Sequence, residues 1–107
     1  MGGTLGINEA LILASLVAGE ATVAETSERL ESYDFGRRID DGSIYVALQR
    51  MAERGYVRMR KKRVVSADGR PRNVGVYHIS SAGQDAVRQF AREAGAVRRL
   101  RAAEGHA

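Results

Sequence analysis

Arg58, Arg60, Lys61, Lys62 and Arg63, followed by Arg70 and Arg72, set seven cations within residues 58–72. The chemistry open to such a run is polyanion binding, in which Lys and Arg neutralise phosphates and release counterions. Just ahead of it, GSIYVALQRMAERGYV (residues 42–57) carries Ser43, Tyr45, Val46, Gln49 and Arg50 at helical spacing. A hydroxyl, a phenol, an amide, a guanidinium and a small apolar group suit base edges and phosphates. The charge distribution points the same way. Residues 37–72 hold eleven Lys or Arg against four acids, whereas residues 1–36 hold one Arg against six acids, within a total of +4. A solvated charge run beside an ordinary surface helix is the plain alternative. The coincidence of the basic third with the polar helix face favours polyanion recognition.

Catalytic chemistry has little to draw on. The chain has no cysteine, so thiol nucleophiles, thiolate metal sites and disulfides are excluded. Its two histidines, His78 and His106, are far apart, and local spacing sets no carboxylate or nucleophile beside either. GGTLG at residues 2–6 lacks the lysine of a phosphate loop. No catalytic residue, metal ligand or cofactor is assigned, and an enzyme is not expected. The apolar stretch from Ala10 to Ala18 is too short to span a membrane and has no preceding cation, so the reading is a cytoplasmic protein without membrane partners.

The elements follow from periodicity. At 107 residues the chain is one structural domain. Leu5–Ala18 reads as a first helix ended by Gly19, and Leu11, Ile12, Leu13, Leu16 and Val17 make it apolar nearly all round. Such a helix is covered on two faces, and a second protomer is the expected second cover. Thr22 caps a second helix to about Ser32, with Glu25 completing a capping box. Ala24, Ser27, Leu30 and Val23 are its expected inward residues. The linker Tyr33–Asp40 carries Gly36 and two arginines, of which Arg38 joins the candidate anion contacts. Asp41 is then the expected N-cap of the helix whose stripe is Ile44, Ala47, Leu48 and Met51, stopped by Gly55. Two helices, the second with a basic polar face, make a helix-turn-helix. Alternating residues from Tyr56 to Val65, the turn cluster SADGRPRN (66–73) and a strand Val74–Ile79 make a β-hairpin with a basic arm and tip, hence a wing. Ser80 or Ser81 caps a last helix striped by Ala86, Val87, Phe90, Ala94 and Val97, with a tail from Ala102 expected to be disordered. The fold class is therefore α+β, mainly α: a winged helix-turn-helix of three helices and a two-stranded wing over residues 5–80, plus a C-terminal dimerisation helix at 81–103.

Three pieces in this order resemble the PadR family of bacterial winged-helix transcriptional regulators: LGINEALILASLVAG, GSIYVALQRMAERGYV and GRPRNVGVYHISSAG. They span about residues 5–90. Val46 stands where many members have proline, Ser80 where the capping residue is usually threonine, and the arm after Val57 is unusually basic. With one C-terminal helix, the chain resembles the short branch of the family. The resemblance implies a homodimer formed through the first and last helices, repression of nearby genes, and for many members a small hydrophobic or aromatic effector. Tyr33, Phe35 and Phe90 are the scarce aromatic candidates for lining an effector cavity.

The leading expectation is thus a homodimeric, sequence-specific regulator of transcription, a repressor, bound to double-stranded DNA at a palindromic operator. Ser43, Tyr45, Val46, Gln49 and Arg50 would meet base edges and adjacent phosphates. Arg38, Lys61, Lys62, Arg63, Arg70 and Arg72 would meet phosphates or the minor groove. Leu11, Ile12, Leu16, Val87, Phe90, Ala94 and Val97 would form the dimer contact. The alternative is a winged helix used as a protein-interaction module that binds an acidic protein partner.

Overall fold

The computed structural model describes residues 5–33 and 38–105, with side chains as far as Gly95. The order is α1 (Ile7–Val17), α2 (Val23–Ser32), α3 (Asp41–Glu53), β1 (Val57–Val65), β2 (Pro71–Ile79) and α4 (Ser81–Gly105). This is a winged helix-turn-helix followed by one long helix. No described helix is long and apolar enough to cross a membrane.

Local chemistry sets the helix ends. Glu9 Oε1 accepts from the Gly6 N–H at 3.0 Å, which starts α1 at Ile7 rather than Leu5. At α2 the capping box forms as its sequence predicts: Glu25 N–H donates to Thr22 Oγ1 at 3.1 Å, and Thr22 N–H donates to Glu25 Oε1 at 3.0 Å. The inward residue of α2 is Thr26 rather than Ala24, which is exposed. Thr26 tolerates full burial because its hydroxyl donates to Thr22 O at 2.8 Å. The N-cap of α3 is Asp40, one residue before the expected Asp41, with its carboxylate accepting from the Ser43 N–H at 2.7 Å. At the other end Gly55 takes φ +79. Its N–H donates to Ala52 O at 3.1 Å and that of Tyr56 to Met51 O at 2.8 Å, the paired bonds that close a helix and turn the chain into a strand.

The hairpin is one antiparallel pair from Val57↔Ile79 to Val65↔Pro71. The turn is tighter than SADGRPRN implied, and β2 begins at Pro71 rather than Val74. Ser66 N–H donates to Arg70 O at 3.0 Å and Gly69 N–H to Ser66 O at 2.9 Å, which closes the chain early. Proline is tolerated there because the first residue of a strand can lack a ladder donor. On its other edge β2 meets Ala21, whose N–H and C=O pair with Tyr77 at 3.0 and 2.8 Å. The wing is therefore stitched to the α1–α2 connection as well as to β1. Arg29 reinforces that connection by donating to the carbonyls of Ser15, Gly19 and Glu20 at 2.9, 2.7 and 3.1 Å. These are the orphan acceptors at and beyond the end of α1.

The core gathers Ile12, Leu13 and Leu16 of α1, Leu30 of α2, Ile44, Leu48 and Met51 of α3, then Val57 and Tyr77 of the hairpin. Burying one such side chain fully contributes about 1.5–3 kcal/mol. Ile12 and Leu16 were expected at a dimer contact. They are instead 0% and 2% exposed inside a single chain, because α2, α3, α4 and β2 all pack on α1 and cover both of its faces. Leu11 is half-buried, and the large exposed apolar residues of α1 are Ile7 and Val17.

Ser80 caps α4, accepting from Gly83 N–H at 3.1 Å. The same hydroxyl donates to Gly55 O, and Ser80 N–H donates to Tyr56 O at 3.0 Å. One serine thus locks the α3–β1 turn to the β2–α4 corner. Ala86, Val87 and Phe90 pack against the core, while Ala94 is exposed. The helix runs through Gly95 and on to Gly105, past the Ala102 at which a disordered tail was expected. The side chain of Val97 and all of His106 lie outside the described residues.

Candidate nucleic-acid interface

Burial of Ile44, Leu48 and Met51 turns the opposite side of α3 outward. Ser43, Tyr45, Val46 and Arg50 are all exposed. Tyr45 and Val46 are large side chains at 53% and 46% exposure, apolar surface that a helix with only a structural role has no need to show. The N-terminus of α3 is not itself an anion site. The Asp40 carboxyl already takes the Ser43 N–H, and that backbone hydrogen bond holds its pKa below the ordinary aspartate value.

Gln49 departs from the outward placement that its spacing implied. It is half-buried, and its Nε2 donates to Tyr77 Oη at 2.7 Å. Tyr77 is 2% exposed, and burial pushes its hydroxyl pKa upward, the Gln49 hydrogen bond acting the other way. The phenol is therefore neutral at physiological pH.

The register sorts the wing cations by face, since directly opposed residues in an antiparallel pair share a side. Met59↔Tyr77, Lys61↔Gly75 and Arg63↔Asn73 lie on the face from which Tyr77 reaches α3. Lys61 and Arg63 are exposed there and have no ion-pair partner among the described residues. Arg58, Arg60 and Lys62 occupy the other face. Arg60 is ion-paired with Glu20. The Glu25 carboxyl is held below its ordinary pKa chiefly by the Thr22 backbone N–H, with Arg29 and Lys62 adding to the effect, and Lys62 is exposed with no ion pair among the described residues. At the tip Arg70 stands 3.8 Å from Asp68, whose pKa is lowered chiefly by the Ser66 hydroxyl with Arg72 adding a small effect, and Arg72 is exposed with no ion pair among the described residues. Arg38 is exposed and paired with Glu31 at 3.3 Å, a surface contact worth little.

Beside the exposed face of α3 lies an open groove of about 640 Å³, bordered by Asn8, Ile39, Asp40, Ser43, Val46 and Arg50. Tyr33 and Phe90 do not line this groove, and Phe35 lies outside the described residues. His78 is half-buried in β2 opposite Arg58. Of the residues that matter at this surface, sequence reasoning passed over Glu20 and the hydroxyl of Tyr77. Their roles depend on register and on contacts between distant segments, so no local pattern marks them.

The geometry is a helix face of exposed hydrogen-bonding and apolar side chains beside a cationic two-stranded arm. No curated protein matches the chain in sequence. Among solved structures, the fold is similar to a PadR family transcription regulator from hypervirulent Clostridium difficile R20291, with TM-score 0.74, 18% identity, and coverage of 89% of this chain and 94% of that one. It is also similar to a PadR-like transcriptional regulator from Bacillus cereus strain ATCC 14579, with TM-score 0.69, 28% identity, and coverage of 89% and 87%. Bacillus subtilis PadR, solved in complex with operator DNA, matches in fold with TM-score 0.66 and 15% identity, over 78% of this chain and 46% of that one. The family model of the transcriptional regulator PadR-like family matches residues 12–89, the helix-turn-helix, the wing and the start of α4, and the chain belongs to that family.

Proposed function

We propose that the protein is a homodimeric, sequence-specific DNA-binding repressor acting in the cytoplasm on a palindromic operator. The observation that carries this reading is the shared side of α3 and the wing. Ser43, Tyr45, Val46 and Arg50 are exposed on α3, and the unpaired Lys61 and Arg63 lie on the hairpin face that Tyr77 joins to α3. The helix would enter the major groove, where Val46 offers an apolar contact to a thymine methyl and Gln49 an amide edge to adenine. Lys61, Lys62 and Arg63, with Arg72 at the tip, would supply phosphate affinity that carries no sequence information. Arg38 and Arg70 would contribute less, because each is already paired with an acid.

Dimerisation would use what the single chain leaves uncovered. Ile7 and Val17 are exposed on α1 at 54% and 60%, and α4 carries the exposed Ala94 and the part-covered Val87 and Phe90 along an arm of 25 residues, about 37 Å at 1.5 Å per residue. A small hydrophobic or aromatic effector, if one is used, would act by altering this assembly or the groove beside α3. Sedimentation of the purified protein with a labelled duplex from upstream of its own gene tests the reading. Two chains per duplex are expected, resisting competition by a scrambled duplex. Equal competition by the scrambled duplex, or one chain per duplex, would refute it, and capture of an acidic protein alone would favour the interaction-module alternative.

A further inference from the structure

Gln49 and Tyr77 are 28 residues apart and meet where the base of the wing touches α3. Tyr77 is fixed from every side. Its ring is buried, its backbone N–H and C=O both bond Ala21, and Met59 stands opposite it in the hairpin. Gly75 lies beside the ring on the same face, where a Cβ would stand in ordinary contact, 3.4 Å from Tyr77 Cε2 and 3.5 Å from Met59 Cγ. The hydroxyl is therefore a stationary acceptor presented to α3 by the wing.

A carboxamide has two N–H donors and an oxygen with two lone pairs. Tyr77 takes one of those donors, and the second N–H and Oε1 have no partner among the described residues. An N–H and an oxygen on one amide edge match N7 and the N6 amino group of adenine. A free glutamine must give up substantial rotamer freedom to make such a pair, and a side chain already held in place has less to lose on binding. Among the described residues, none of Ser43, Tyr45, Val46 and Arg50 has a side-chain hydrogen bond to the wing.

We infer that Tyr77 is a positioning residue for base readout, its buried hydroxyl holding the Gln49 carboxamide so that the remaining N–H and Oε1 select adenine at one base pair. The inference rests on the DNA-reading function proposed above. It assigns the wing a part in specificity, transmitted through α3, in addition to its phosphate contacts.

The test begins with a randomised duplex pool enriched on the wild-type protein. Every single base-pair substitution of the resulting consensus is then scored for wild type, Tyr77→Phe, Gln49→Ala and the double variant, with thermal melts alongside. Tyr77→Phe keeps the packed ring, so the fold should persist. Both single variants should lose about tenfold discrimination at the same A·T pair, and the double variant should lose no more than either. Gln49→Glu should move the preference at that pair toward cytosine, whose N4 amino group suits a pure acceptor. Retention of the wild-type pattern by Tyr77→Phe, losses at different base pairs, or losses that multiply in the double variant would overturn the inference while leaving the DNA-reading function intact. A pool that yields no preferred sequence would overturn both.

Discussion

Gly83→Ala is expected to destabilise the fold by about 3 kcal/mol or more, the range of severe overpacking. A Cβ at Gly83 would stand 2.1 Å from the Tyr56 carbonyl oxygen and 2.8 Å from Ile79 Cγ1. Neither neighbour can yield cheaply. Tyr56 O is backbone and accepts from Ser80 N–H, and Tyr56 N–H closes the end of α3. The first turn of α4 would have to lift away, taking with it the Ser80 contacts that join the α3–β1 turn to the β2–α4 corner. Gly95→Ala is the contrasting substitution in the same helix. A Cβ there meets nothing within 4 Å, so replacing glycine in a helix should hold or raise stability by up to about 1 kcal/mol. Chemical denaturation of the two variants distinguishes them directly. Equal midpoints would mean that the close approach of α4 to Tyr56 is absent in solution.

Removing Lys61 and Arg63 together is expected to weaken binding to every duplex alike. Each lost phosphate contact should lower the slope of log K against log salt by about 0.9. Across a tenfold rise in salt, the double variant should therefore lose about sixtyfold less affinity than the parent. Removing Arg60 should change the slope far less per residue, because Arg60 is already ion-paired with Glu20. The division follows from strand register, and titrations of operator and random duplexes over a salt series measure it. A loss confined to the operator, or the same slope change per residue for Arg60 as for Lys61 and Arg63, would contradict it.

Much of this architecture is legible in the sequence because it is written locally. Ile44, Leu48 and Met51 recur within one helix, and Thr22 and Glu25 satisfy each other across one turn, so each signal lies within a few residues. The winged fold follows from the order of such pieces. The errors arise where the deciding neighbour is distant. Ile12 and Leu16 make α1 apolar on two faces, but the pattern does not say what covers the second one, and here the same chain does. Thr26 reads as polar until its hydroxyl is seen bonded to Thr22 O. Gln49 reads as outward until Tyr77 arrives from β2. The equal-looking cations from Arg58 to Arg63 divide only once the pairing Lys61↔Gly75 fixes which of them share a face with Tyr77.

The central claim is that the exposed face of α3 reads the major groove while the wing supplies charge. Methylation interference on the enriched duplex tests it most directly, because methylation of guanine N7 blocks the major-groove edge and leaves phosphate charge unchanged. Binding should be abolished by N7-methylation at two clusters of guanines about 34 Å apart along the duplex, one for each α3 of a dimer. Binding indifferent to N7-methylation at every guanine would contradict the claim and leave only a cationic surface for nucleic acid.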